Sequence, residues 1–272
     1  MNLRDINKMK EPMRSTVKMP VLFIGHGNPM NAIEDNEYSR KWLEIGRSIP
    51  EPAVILCISA HWETPGSFVT AMSKPPTIHD FGGFPQALFD VQYPAPGSPA
   101  TATEIIKHAR TDSVLPDEKW GLDHGCWSIL KQMYPEATIP VLQLSLDYRK
   151  PPQAHYDLAK ELAALRSKGV LIIGSGNIVH NLRRINWHDL SGGHDWAESA
   201  NEKMKSLIIG NNHPALIGYS LLGDDVKMAV PTPEHFLPLL YTLALKEKEE
   251  EITFFNDRVM MGSLSMTSIM IQ

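Results

Sequence analysis

Four short stretches of this chain are almost continuously apolar, and they constrain its fold more than any other feature. They are Pro20–Gly25 (PVLFIG), Ala53–Ala60 (AVILCISA), Ile139–Leu146 (IPVLQLSL) and Val170–Gly174 (VLIIG). A strand with one face in water alternates apolar and polar residues. A strand covered on both faces does not, so these four belong inside a sheet flanked on both sides. Ser67–Met72 and Ser263–Ile271 read as further strands. Between the strands lie segments with helical spacing: Ala100–Arg110, Trp127–Met133, Gln153–Ser167 and Asp195–Ile209. Gly169 stops the third of these. A helix over His235–Leu245 follows, with Thr232 as N-cap and Pro233 in the first helical position. Strands alternating with helices predict an α/β fold: a single domain with a central mixed, mostly parallel sheet flanked by helices.

Length agrees with one domain, since 272 residues suit a single large α/β unit. No repeat or low-complexity linker divides the chain. Residues 1–18 read as a charged tail and residues 19–272 as the domain. The composition, 43% hydrophobic and 21% charged, is that of a globular protein. A formal net charge of -5 gives no support to a nucleic-acid or anionic-membrane surface. No run of about 18 apolar residues suggests a membrane span, and residues 1–18 lack the apolar core of a secretory signal. Cys57 and Cys126 are the two cysteines, too few for a disulfide framework or a thiolate zinc site. Cys57 lies in an apolar run and is expected to pack as a small hydrophobe. A cytoplasmic location is the expectation. The oligomeric state stays open.

Histidine is the residue type that points to chemistry, with 11 in the chain. His26 and His61 directly follow the two clearest strands, and His180 comes shortly after VLIIG. Ligands of open α/β sheets bind outside the carboxyl ends of the strands, so these three imidazoles converge on one crevice although far apart in sequence. His235 beside Glu234, and His124 in Asp123-His124-Gly125, are further candidates. Any one histidine at a strand end is more often an ordinary loop residue than a ligand. The coincidence of several is what matters, as no local motif such as HExxH is present. Gly174-Ser175-Gly176-Asn177 lacks the lysine of a P-loop and the third glycine of a dinucleotide fingerprint, and reads as a tight turn. Imidazole suits zinc, iron, copper and nickel alike. Neutral ligands leave the metal's charge uncompensated, which favours an anionic chelating substrate such as a catecholate. Two Gly/Pro-rich loops, Lys74–Pro85 and Tyr93–Pro99, read equally as pocket covers or as plain turns.

Several motifs occur together and in order: Gly25-His26-Gly27-Asn28-Pro29-Met30, Ser59-Ala60-His61-Trp62, Ile78-His79-Asp80-Phe81-Gly82-Gly83-Phe84-Pro85, Asp123-His124-Gly125, Ser175-Gly176-Asn177-Ile178-Val179-His180-Asn181 and Pro231-Thr232-Pro233-Glu234-His235. In these, from Met19 to the C-terminus, the chain resembles the class III extradiol ring-cleavage dioxygenases, in the branch of the bacterial 4,5-DOPA extradiol dioxygenases. The resemblance implies a non-haem Fe(II) enzyme that uses O2 to cleave a catechol such as L-DOPA beside its hydroxyls, giving a semialdehyde. It implies His26 and His61 as metal ligands, His235 as the third, and His180 as acid/base close enough to touch a metal, zinc included. His124 would line the substrate pocket and assist there. The broader family's pattern is two histidines and one carboxylate, whereas here the third position reads Glu234-His235. Successive helical residues point about 100° apart, so His235 is taken as the ligand and Glu234 as its support. The expected pKa of His180 is near neutrality.

Two other readings fit the residues themselves. Zinc-bound hydroxide on the same histidines would make a hydrolase. A metal-binding module without turnover would keep the fold alone. An acid/base pair such as His124 and His180 favours an enzyme over that last reading.

Overall fold

The computed structural model describes residues 17–110, 113–188 and 190–272. The expected tail therefore lies, up to residue 16, outside the described residues. The strands are β1 Val21–Gly25, β2 Val54–Thr64, β3 Ser67–Thr70, β4 Val114–Asp117, β5 Val141–Asp147, β6 Val170–Gly176, β7 Ile252–Phe255, β8 Val259–Met260, β9 Leu264–Ser265 and β10 Ser268–Ile271. All but β8 and β9 form one sheet in the order β4-β3-β5-β2-β6-β1-β10-β7. Its centre, β5-β2-β6-β1, is parallel. One edge closes with antiparallel β10 and β7, while at the other β3 is antiparallel to β5 and parallel to β4. The sheet is mixed and mostly parallel, as the sequence predicts.

The continuous apolar runs are explained by two cores, one on each side of the sheet. Val21 and Phe23, Leu56 and Ile58, Val170 and Ile172 enter one core. Leu22 and Ile24, Ile55 and Cys57, Leu171 and Ile173 enter the other. Successive side chains of a strand point to opposite faces, so a strand between two cores is apolar at every position. Helices Pro99–His108, Pro152–Glu161, Asp195–Ile209 and Leu237–Ala244 supply the first core, through residues such as Ile105, Leu158, Met204 and Leu240. Helices Glu37–Ser48 and His124–Met133 supply the second, where Trp42 and Trp127 are fully buried. Burying each large apolar side chain is worth about 1.5–3 kcal/mol.

Local differences from the sequence reading have local causes. The helix Asp195–Ile209 has its predicted bounds. The predicted Gln153–Ser167 helix is α-helical only over Pro152–Glu161 and then narrows to a 3-10 segment, Ala163–Lys168. Gly169 ends it with φ +79°, a left-handed value that glycine takes without strain. The helix at Trp127 begins earlier, at His124, because Asp123 caps it and accepts a hydrogen bond from the Cys126 amide at 3.1 Å. The last helix begins later than predicted, at Leu237. Pro238, not Pro233, sits in its first turn, and a proline supplies no N–H to bond back to residue 234. Thr232 is no cap, since its hydroxyl donates to Glu234 Oε1 at 2.8 Å. The closing strand is split: β9 pairs with β8 in a small ribbon, and only β10 joins the main sheet. The glycines at Gly174 and Gly176 are not a tight turn but the end of β6. No helix among the described residues is long and apolar enough to cross a membrane.

Candidate metal centre

The three central strands β2, β6 and β1 are neighbours, and the histidines that belong to them meet at their carboxyl ends. His26 directly follows β1, and its amide bonds to the Gly176 carbonyl at 3.1 Å. His61 is not beyond β2 but inside it. The pairing of β2 with β5 slips between Ile58 and Glu63, and such an irregularity re-aims the side chains it carries. His124 is the first residue of its helix, and Gly125 lets that helix end close on β2. A Cβ at Gly125 would lie 2.5 Å from Ser59 Oγ and 2.8 Å from His61 Cδ2. His180 follows β6 and bridges to Leu264. His235 lies in the turn before the last helix, not within it. That turn rests on β6, where a Cβ at Gly176 would come 2.1 Å from the His235 carbonyl.

All five histidines singled out in the sequence form one cluster. The ligand atoms of His26, His61 and His124 lie within 4.8 Å of one another, and so do those of His180, Glu234 and His235. The two groups adjoin, since the His235 ring centroid is 5.3 Å from that of His26 and 5.1 Å from that of His61. His180 stacks on His235, centroids 3.4 Å apart. The earlier geometric objection to Glu234 falls with the helix it assumed, because its carboxylate and the His235 imidazole share one turn and touch at 3.2 Å.

Hydrogen bonds on the far side of each ring decide which nitrogen faces the cluster. Ser175 Oγ gives its proton to the Gly125 carbonyl at 2.6 Å, so it accepts from His26 Nδ1 at 2.9 Å. His26 Nε2 is therefore left with a lone pair. Asp80 Oδ2 accepts from His124 Nδ1 at 2.9 Å and lies 3.4 Å from His61 Nδ1. A carboxylate there keeps the His61 proton on Nδ1 and the lone pair on Nε2. Glu234 does the same for His235, whose buried Nε2 has no partner among the described residues. The result is two acceptor nitrogens, His26 Nε2 and His61 Nε2, face to face at 3.2 Å.

A shared proton would reconcile them, but the site resists protonation. Burial first, and then the neighbouring imidazoles, push His26 and His235 well below the usual histidine pKa. Burial, with help from His124, brings His61 to about 3. A metal cation reconciles them instead. Two nitrogens bound at about 2.1 Å and about 90–110° apart would be separated by about 3.0–3.4 Å, which spans the observed distance. The donor set thus fits a metal ion. His180 departs from the near-neutral expectation: burial lowers it to about 4, against the opposing pull of Glu234. Burial works to raise Asp80, yet the hydrogen bonds and charge of His124 hold it below the usual carboxylate value.

A cavity of about 320 Å³ opens on the cluster. Apolar and aromatic side chains make its wall, among them Phe81, Phe84, Ile185, Trp187 and Met261. The Gly/Pro-rich loop Lys74–Pro85 is therefore part of the site, with Asp80 on the imidazoles and Phe81 in the cavity wall. His79 turns away and donates to the Val91 carbonyl at 2.9 Å. Ser175 and the double role of Asp80 were not legible in the sequence. The one signal was a carboxylate within a loop of turn residues that ends in an aromatic pair.

Comparison with known proteins gives this geometry a family. Residues 20–260 match the family model described as the catalytic LigB subunit of aromatic ring-opening dioxygenase. The chain is 48% identical over 268 residues to the 4,5-DOPA dioxygenase extradiol of Escherichia coli (strain K12), covering 97% of this chain and 98% of that protein. It is 41% identical over 223 residues to the protein of that name from Beta vulgaris, covering 80% and 83%. Among solved structures, an uncharacterized Escherichia coli K12 protein superposes with a TM-score of 0.82 at 43% identity, covering 93% of this chain and 100% of that one. The chain belongs to the LigB family of aromatic ring-opening dioxygenases.

Proposed function

We propose that this extradiol dioxygenase holds Fe(II) through His26, His61 and His235 and opens the ring of a catechol of the L-DOPA type, with His180 and His124 as its acid/base groups. The observation that carries the metal assignment is the pair of lone-pair nitrogens at 3.2 Å, with the unpartnered Nε2 of His235 beside them. When bound, Fe(II) supplies the electron transfer between catecholate and O2 that ring opening requires, which redox-silent Zn(II) does not. Zinc fits the same imidazoles and binds them more tightly in the usual affinity order.

The residues of the chain do the rest. The apolar wall, with Phe81 and Phe84, packs the ring and keeps bulk water from it. His180 lines the cavity and its lowered pKa keeps it neutral, so it is free to take a proton from a catechol hydroxyl. His124, held by Asp80 through Nδ1, has its lone pair on Nε2 and lines the same cavity, so it would accept a proton there and return it. The ligand atoms of His124 also lie within 4.8 Å of those of His26 and His61, which makes it a competitor of His235 for the third position.

The test is anaerobic loading with Fe(II), then L-DOPA and air. A yellow semialdehyde with matching O2 uptake is expected. Absence of both with every catechol tried would sink the assignment. Metal content of His235→Ala and His124→Ala decides the third ligand: metal lost from the first and kept by the second is expected, and the reverse moves the ligand to His124.

A further inference from the structure

Among the described residues, the catalytic cavity offers no cationic side chain to a negatively charged substituent on the catechol. None of the described residues that line it is a lysine or arginine, and its wall is mainly apolar. A second cavity of about 270 Å³ adjoins it, sharing His180 and Leu182 as common wall. There the chemistry changes. Arg183, Thr232 and Glu234 line it, and Arg183 is the one cationic side chain among the described residues of either cavity. Arg183 is exposed and makes no ion pair or side-chain hydrogen bond among the described residues, Glu234 included. Its place is fixed nonetheless. It sits in the short 3-10 segment Leu182–Arg184, tied down because the Arg184 amide bonds to the Asn181 carbonyl at 2.9 Å and the Asn181 amide to the Ser263 carbonyl at 3.1 Å.

We propose that this side cavity is the subsite for the substrate's ring substituent, and that Arg183 binds a carboxylate carried by that substituent. This rests on the proposed catechol chemistry and assigns the residue that would read an acidic side chain on such a substrate. In this arrangement the ring would rest against the imidazoles and its substituent would cross at Leu182, which lines both cavities, to place a carboxylate beside Arg183. A guanidinium presents two parallel N–H groups to a carboxylate, which suits it better than an ammonium to this task. Glu234 lines the same cavity and would accommodate an adjacent ammonium, so an α-amino acid side chain would meet opposite charges in one space. The subsite thus explains how an apolar pocket would select a charged molecule.

The experiment measures dissociation constants without turnover, on Zn(II)-loaded protein, for 3-(3,4-dihydroxyphenyl)propionate and for 4-methylcatechol. The readout is their ratio. Arg183→Gln is expected to shift that ratio about fivefold against the carboxylate ligand, the upper end for an exposed charge pair. Arg183→Lys should recover part of it. A ratio unchanged within about twofold in Arg183→Gln, or an equal loss for both ligands, would overturn the proposal. Product assays in air on the Fe(II)-loaded wild type stand apart from this. Failure to open any catechol would remove the proposed reaction, while the binding ratio would still decide the subsite.

Discussion

The two halves of the histidine cluster are held by different means. His26 and His61 are fixed by partners that the fold brings from afar. Ser175, which orients His26, is 149 residues away, and the Asp80 that orients His61 lies on a separate loop. His235 leans on Glu234, its own neighbour in the chain, and His180 leans on His235 by stacking. The first half is thus set once the central strands have paired. The second half depends on a turn whose contact with β6 is a close approach at Gly176. A rigid half suits metal binding, which needs lone pairs held in place before the ion arrives. In the half with local support, His235 is the proposed third ligand and His180 is left to proton transfer, where an imidazole must change state during each turnover.

Substitutions should separate the halves. The largest effect is expected in the first: His26→Ala or His61→Ala should lose the metal, and turnover should fall by about a thousandfold or more, several kcal/mol of transition-state stabilisation. Metal analysis beside the ring-opening assay checks both. Retained metal in either variant would break the division. In the second half, His180→Phe should keep the metal while kcat falls by about a hundredfold to ten-thousandfold, the usual range for a lost acid/base group. Loss of metal there would make His180 a ligand. The supports come next. Asp80→Asn and Glu234→Gln should each weaken metal affinity by about ten- to a hundredfold, the usual effect of removing the group behind a ligand. Asp80 should be the costlier, since it serves two imidazoles and Glu234 one. Equal losses measured by competition with a chelator would show that long-range and local support are equivalent.

The same division decides what the sequence could tell. The strands were legible because a sheet between two cores makes β1 and the first parts of β2 and β6 continuously apolar, and His26 and His61 followed from where those runs stop. His61 nonetheless belongs to the strand, since the slip after Ile58 is set by pairing with β5 and leaves no mark in composition. In the second half His180 was legible from its place after β6, whereas the ligand role of His235 came only through motif resemblance. The expected helix over His235 failed because two prolines, Pro233 and Pro238, compete to start it, and the decision between them is made by packing on β6. The contacts of Asp80 and Ser175 could not be read, although the loop that carries Asp80 already read as a candidate pocket cover. Their roles are distances between loops and strands remote in sequence, and nothing local to a serine in a strand distinguishes it from any other.

Acid is the mildest probe and gives a test of both halves at once. His61 in the first half is lowered to about 3 and His180 in the second to about 4, each from 6.5. His26 and His235 are lowered as well, chiefly by burial. A histidine whose folded pKa lies below its unfolded one binds its proton more readily in the unfolded chain, so the fold loses stability as pH falls. Above about 6.5 both states are neutral and these groups impose no pH dependence. Below it, each such histidine should remove up to about 1.4 kcal/mol per pH unit from the metal-free protein. The loss from His180 should level off near pH 4 and that from His61 near pH 3. Carboxylates held low do not interfere at first: Asp80 and Glu250 begin to weigh only below their ordinary values of 3.8 and 4.5. In the window from pH 6.5 to 5 the slope comes from histidines held low, the cluster together with His108 and His213, while Asp123, raised by burial, works against it. Urea midpoints of metal-free protein should fall steadily across it, and His180→Gln should remove one group's share of that slope. A flat profile in this window would mean that the metal-free cluster opens to water, and that burial is supplied by the bound ion and not by the fold. A slope that His180→Gln leaves unchanged would confine the buried, neutral imidazoles to the His26–His61 half.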